Sequence, residues 1–157
     1  MEMNERVLVC GDREWTEKAL IHRYLAYMHV EAIIEGEAKG ADTLAKEVAN
    51  ELGIEVRPFP ARWSQYGRAA GPIRNQQMLD EGKPTLVLAF HNDIHNSKGT
   101  KDMIVRANKA TIPVWLISGT DSRGRCIANY ERRRFKQHGN KIPTGRLRKN
   151  GWRRRRA

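Results

Sequence analysis

Hydrophobic positions follow two alternating spacings along the first 118 residues. Five short runs rich in aliphatic and β-branched residues each predict a strand. These runs are residues 6–10, 30–34, 54–59, 85–90 and 112–117. Between them apolar residues recur every three or four positions, as at Leu44, Val48 and Leu52, which predicts helices. Strands that alternate with single helices indicate an α/β fold, a Rossmann-like, doubly wound, mostly parallel five-stranded sheet.

Glycine-containing connections follow three of the predicted strands, at residues 11–13, 36–42 and 91–100. In a parallel sheet they lie together at the carboxyl edge, where such folds bind ligands. A fourth connection, residues 60–73, is long enough to cover a ligand or contact a partner. Its Trp63 and Tyr66 could stack a base, pack the loop down or lie against a second subunit.

Residues 36–42 form the sharpest local pattern. Gly36 and Gly40 would let the backbone approach a phosphate, because glycine has no side chain. The N–H groups and the dipole at the start of the following helix would favour an anion there. Asp42 could cap the following helix or accept a hydrogen bond from a sugar hydroxyl. A tight turn followed by an N-cap, without any ligand, explains the same spacing equally well.

The other two connections add candidate ligand-binding residues. Gly11 and Arg13 follow the first strand, and Lys98, Gly99 and Thr100 precede the last helix. Thr100 is predicted to be the N-cap of that helix, and Lys98 supplies positive charge. Arg13, like Arg74 further along, could clamp a phosphate or carboxylate with two hydrogen bonds, or could be an ordinary surface arginine.

Charge divides the 157-residue chain, whose formal net charge is +11. Residues 1–120 hold 15 Lys and Arg against 16 Asp and Glu, a net −1, whereas residues 121–157 hold 14 against 2, a net +12. We therefore predict one domain at 1–120 and a basic, arginine-rich C-terminal tail at 121–157. Arginines interleaved with aromatics suit contacts to nucleic acid, although a solubilising or membrane-surface tail is the alternative. The predicted contacts are Arg132, Arg133, Arg134, Arg146, Arg148, Lys149, Trp152, Arg153, Arg154, Arg155 and Arg156.

Other features narrow the class of protein. No apolar stretch is long enough to span a bilayer and no signal peptide is recognisable, so we expect a cytoplasmic protein. Cys10 and Cys126 make no disulfide framework, and Cys10 is expected in the core. His91 and His95 have no third ligand at a recognisable spacing, so we predict no metal and no cofactor. No Gly-x-Ser-x-Gly motif supports a hydrolase triad.

Four segments in order resemble the YspA-type branch of the SLOG superfamily. They are residues 9–15 (VCGDREW), 35–42 (EGEAKGAD), 70–78 (AGPIRNQQM) and 98–103 (KGTKDM). The resemblance covers about residues 6–118 and implies a Rossmann-like fold. It implies a nucleotide or nucleotide-derived ligand, and commonly a homo-oligomer.

Two relatives within that superfamily imply different functions. The lonely-guy phosphoribohydrolases cleave the N-glycosidic bond of nucleoside monophosphates, and their catalytic Glu position falls on Met103 here, with Asp102 one residue earlier. Asp102, with Arg74, is therefore the candidate for catalysis. The DNA-processing protein A family binds single-stranded DNA through a turn resembling residues 35–42, with Glu35 in place of Ser. The resemblance thus allows a hydrolase, a binding domain or a non-catalytic DNA- or RNA-binding scaffold.

Overall fold

The computed structural model describes residues 4–119, and the tail candidates at 132–156 lie outside the described residues. Five strands form one sheet: β1 (Glu5–Gly11), β2 (Val30–Glu35), β3 (Glu55–Pro58), β4 (Leu86–Phe90) and β5 (Val114–Ile117). Their order is β3-β2-β1-β4-β5, and every neighbouring pair is parallel. The predicted Rossmann-like α/β fold is confirmed.

Four crossovers connect the strands. They contain α1 (Lys18–Tyr27), α2 (Ala41–Leu52), the one-turn α3 (Trp63–Tyr66), α4 (Ala70–Gly82) and α5 (Gly99–Lys109). Single 3-10 turns lie at Gly67–Ala69 and Ile94–Asn96. No helix within residues 4–119 is long and apolar enough to cross a membrane.

The core consists of two apolar layers because successive strand residues point to opposite faces of the sheet. Val7 and Val9 of β1 pack with α1 and α2, whereas Leu8 and Cys10 pack with α4 and α5. Helices on both faces explain why β4, with all five residues buried, reads as an uninterrupted apolar run. The chain reverses its direction of winding between β1 and β4, and this is where such sheets form a crevice.

The connection at 60–73 was predicted as a loop, and this is wrong for most of its length. It holds α3, a 3-10 turn and the first residues of α4, which begins at Ala70. Gly71 and Pro72 lie inside α4. Proline is tolerated there because the first turn of a helix has no internal acceptor for its N–H groups.

Candidate functional site

The three glycine-containing turns meet at the carboxyl edge of the sheet, around the gap between β1 and β4. The backbone N–H of Asp12 donates to the carbonyl of Phe90 at 2.9 Å, and that of Ala41 donates to the carbonyl of Asp12 at 3.1 Å. These two bonds tie the first turn to the end of β4 and to the start of α2. The predicted convergence of the turns is what the structure shows.

At this junction the backbone segments approach so closely that neither Gly11 nor Gly40 has room for a side chain. A Cβ on Gly11 would overlap the carbonyl oxygen of Phe90 and lie 2.8 Å from the Cβ of Ala41. A Cβ on Gly40, whose φ is +76°, would overlap the carbonyl oxygen of Asp12 and lie 2.5 Å from the carbonyl of Arg13. Neighbouring protein atoms, rather than a ligand, therefore account for glycine at both positions.

Gly36 leaves room for an arginine. The guanidinium of Arg74 donates through Nη1 to the carbonyl of Gly36, and a Cβ on Gly36 would lie 2.6 Å from the Arg74 Cζ. The Nε of Arg74 also donates to the Oδ1 of Asn75 at 3.2 Å. Two of the nitrogens that were predicted to clamp a ligand are thus engaged with the protein, where they tie α4 to the turn after β2.

Asp42 does not cap its helix. The N-cap of α2 is Gly40, and the buried Asp42 carboxylate instead accepts from the N–H groups of Gly36 at 2.9 Å and Ala38 at 3.4 Å. Glu35 accepts from the N–H of Glu37 at 2.5 Å. The N–H groups of three successive residues therefore bind the protein's own carboxylates, so a phosphate cradle at 36–38 would have to displace them.

Both carboxyl groups are deeply buried beneath the turn. Burial is the main cause that raises the pKa of Glu35 to about 7 and that of Asp42 to about 6. The negative charge of Asp42 raises the Glu35 pKa further, whereas the Gly36 N–H and the Arg74 charge act to lower the Asp42 pKa. The Oε1 of Glu35 has no hydrogen-bond partner among the described residues.

Cys10 lies in the core next to this pair, as predicted. Burial, followed by the nearby Asp42 charge, raises the pKa of the Cys10 thiol well above its usual range. The thiol stays protonated at neutral pH and is not an activated nucleophile.

The third turn ends at the start of α5, which begins two residues earlier than predicted. Its N-cap is Lys98, so the prediction of Thr100 as the N-cap is wrong. Thr100 is a buried helical residue whose N–H is capped by the Oγ of Ser97 at 3.1 Å. A Cβ on Gly99 would meet nothing within 4 Å, so this glycine alone among the four candidate glycines faces open space.

Asp102 lies in the first turn of α5 but is held against α4. Its Oδ2 accepts from the Nδ2 of Asn75 at 2.9 Å and from the Nε of Arg106 at 2.8 Å. Asn75 also donates to the carbonyl of Gly99 at 3.2 Å. The buried Asn75 thus joins α4 to the start of α5. Asn75 was not among the residues predicted from the sequence, although it directly follows Arg74 in the AGPIRNQQM segment.

The remaining candidates are exposed or bonded locally. Arg13 and Lys98 are exposed, and both follow strands at the carboxyl edge of the sheet. The Nδ1 of His91 accepts from the N–H of Asp93 at 2.9 Å. Among residues 4–119 no group of three His, Cys, Asp or Glu side chains is arranged to hold a metal ion.

Comparison with known proteins supports the resemblance seen in the motifs. The YspA, cpYpsA-related SLOG family (YAcAr) matches residues 5–66. A similar solved structure is the X-ray structure of DNA processing protein A (DprA) from Streptococcus pneumoniae, with a TM-score of 0.61 and 19% sequence identity. The match covers 88% of this chain and 58% of that one, so the chain spans little more than half of its length. No curated protein matches the sequence significantly.

Proposed function

Taking the protein to be a SLOG-type Rossmann-like domain, we propose that it binds a nucleotide or nucleotide-derived ligand at the carboxyl edge of its sheet. The observation that supports this proposal most directly is the open space beside Gly99. Gly11, Gly36 and Gly40 are explained by contacts with the protein itself, whereas Gly99 faces open space at a helix start. A ligand phosphate at that position could approach the backbone without any side chain in the way.

The start of α5 supplies the chemistry for an anion. The first N–H groups of a helix have no acceptor inside the helix, and the helix dipole adds partial positive charge there. The Thr100 N–H already donates to the Oγ of Ser97, so a phosphate would use the neighbouring N–H groups or replace that hydroxyl. Lys98 is exposed beside Gly99, and Arg13 is exposed on the neighbouring turn. A phosphate fits this combination of backbone donors and two cations.

Replacing Gly99 by Ala should separate ligand binding from stability. We expect the free protein to melt at the same or a slightly higher temperature, because alanine favours helix by about 1 kcal/mol over glycine. We expect nucleotide binding to weaken severalfold, because the methyl group occupies the open approach. Thermal melting with and without a panel of mononucleotides, dinucleotides and cyclic nucleotides measures both effects.

Lys98→Ala tests the charge, and Lys109→Ala is its matched control because it removes the same charge at the other end of α5. Lys98→Ala should weaken binding about tenfold, consistent with a charge-assisted hydrogen bond of about 1.5 kcal/mol, and Lys109→Ala should not. Equal effects of the two variants, or no stabilisation of the wild-type protein by any nucleotide, would refute the site.

If the site is catalytic, the reaction would be hydrolysis of an N-glycosidic bond. Asp102 would supply the carboxylate, and Arg74 would bind the phosphate of the substrate. Such hydrolysis needs a carboxylate close to the developing oxocarbenium ion and to a water. Asn75 of α4 and Arg106 of α5 both donate to the Asp102 carboxylate, and Arg74 is bonded to Gly36. These contacts favour a binding domain over a hydrolase.

Nucleic-acid binding is the second candidate function, with the core as a non-catalytic scaffold. The net charge of +12 over residues 121–157 favours it, because released counterions drive such binding. A cytoplasmic location and a homo-oligomeric state stay predictions from the sequence.

Changing Arg154, Arg155 and Arg156 to Gln should weaken binding to a single-stranded oligonucleotide. The slope of log affinity against log salt should become shallower by about 2, since each phosphate contact contributes about 0.7 on single strands. A control with Arg23, Lys83 and Lys109 changed to Gln removes the same charge from exposed positions within residues 4–119. If both triple variants change the slope equally, the tail has no special role.

A further inference from the structure

An exposed apolar patch remains at the carboxyl edge after the turns are accounted for. We call Trp63 and Tyr66 of α3, together with Ile73 of α4, the aromatic patch. Their exposed fractions are 50%, 41% and 44%. Packing within the chain was one prediction for the two aromatic residues, but the structure leaves about half of each exposed.

The Trp63 ring is nevertheless held in place. Its Cη2 would lie 3.4 Å from a Cβ on Gly71, so the ring packs on the α4 backbone at a residue without a side chain. Gln65 and Tyr66 donate to the carbonyl of Arg62 at 3.0 Å each, and the Gly67 N–H donates to the Trp63 carbonyl. One edge of the ring is therefore fixed while a large part stays accessible.

Arginines lie close to the patch along the chain. Residues 59–79 contain Arg62, Arg68 and Arg74 and no Asp or Glu. Both Arg62 and Arg68 are exposed. Arg62 immediately precedes Trp63, and Arg68 lies two residues after Tyr66. A second copy of this chain would have to place acidic groups against this arginine pair, whereas a nucleic-acid strand brings phosphates and flat bases together.

We propose that Trp63 and Tyr66 form a stacking platform for unpaired bases of a single-stranded nucleic acid, with Arg62 and Arg68 contacting its phosphates. This inference rests on the second candidate function and deepens it, because it adds a base-dependent contact at α3 to the charge of the tail. Aromatic side chains one helical turn apart can each take a base face, and stacking tolerates any sequence.

Two strands of equal length and charge test the platform on the full-length protein. One is a short oligothymidylate, and the other is an abasic strand with the same number of phosphates. Trp63→Ala should weaken binding to oligothymidylate about tenfold, within the range measured for stacking of one base, and should leave binding to the abasic strand within about twofold. Trp63→Phe, which retains a ring, should keep most of the affinity.

Tyr27→Ala is the matched control. Tyr27 is 46% exposed and is the last residue of α1, so it lies at the opposite, amino edge of the sheet. It should change binding to neither strand. Arg62→Ala should weaken both strands equally and reduce the salt slope by about 0.7, since its contact is to phosphate. Thermal melting of each variant checks that the fold is retained.

Three outcomes overturn the platform, and they differ in what they leave standing. If the wild-type protein binds both strands equally, only phosphates are contacted, and the tail function survives. If Trp63→Ala separates an oligomer into monomers without a base-dependent loss, the patch is an interface between copies. If the wild-type protein binds neither strand, nucleic-acid binding fails altogether while the nucleotide site at Gly99 is untouched.

Discussion

Replacing Gly40 by Ala should destabilise the protein by about 3 kcal/mol or more. Two causes add at this residue. Its φ of +76° is costly for any residue with a Cβ, and the added methyl group would overlap the backbone of Asp12. Backbone atoms cannot rotate away as a flexible side chain can, so the turn after β1 or the start of α2 must move. Urea unfolding at neutral pH measures the loss.

Gly53→Ala is the control for the backbone conformation alone. Gly53 ends the same helix, its φ is +69°, and a Cβ there meets nothing within 4 Å. We expect a loss of only about 1 kcal/mol from the left-handed conformation. If both variants lose equal stability, the close contact between the first two turns is not what requires glycine at position 40.

Replacing Glu35 by Gln should stabilise the protein at pH 8 and leave it nearly unchanged at pH 4. Burial raises the pKa of Glu35 from 4.5 to about 7, so the folded protein binds this proton more tightly than the unfolded chain. The stability that the neutral carboxyl allows is fully present below pH 4.5 and is lost as the pH rises through 7. A rise of that size corresponds to about 3 kcal/mol at pH 8.

The gain from Glu35→Gln should be smaller than this, about 1–3 kcal/mol, because the amide accepts the Glu37 N–H less strongly than a carboxylate does. Urea unfolding from pH 4 to pH 8 gives the difference as a curve. Asp42 keeps its own titration in both proteins, so a residual pH dependence is expected in the variant.

Glu31→Gln, at the exposed end of the same strand, controls for loss of one negative charge. It should change the free energy of unfolding by no more than about 0.5 kcal/mol at either pH. If Glu35→Gln is destabilising at pH 8, the Glu35 carboxylate has a compensating partner, and burial does not govern its titration.

The fold followed from the sequence because a parallel sheet covered on both faces leaves a strong pattern. β1 and β4 are buried on both sides and read as continuous aliphatic runs, while α2 repeats apolar residues every four positions. Predictions from single residues with weak local preferences were wrong. Gly71 and Pro72 are typical of a turn, but they lie in the first helical turn, where neither residue interrupts hydrogen bonding.

The location of the site followed from topology, but the partners of its residues did not. Gly36 and Gly40 were correctly placed at the carboxyl edge, yet nothing local reveals that Arg74, 38 residues further on, fills the space beside Gly36. Likewise, Asp42 has the composition of a capping residue, and its burial against residues 36–38 depends on how α2 packs on β2. A contact between distant elements decides the role of Arg74, whereas the bonds of Asp42 are local in sequence and depend on the conformation of the turn.

Because the Arg74 side chain lies against Gly36, a substitution at either position affects the other. A side chain at 36 and the Arg74 guanidinium compete for the same volume, because a Cβ at 36 would lie 2.6 Å from the Arg74 Cζ. A change at 36 alone would push the flexible end of Arg74 away from the carbonyl of residue 36, and a change at 74 alone would leave that carbonyl without its donor and open space beside it. Divergence at this edge of the domain would therefore proceed through paired exchanges, or begin at position 74, whose loss opens the space that a new side chain at 36 could then occupy.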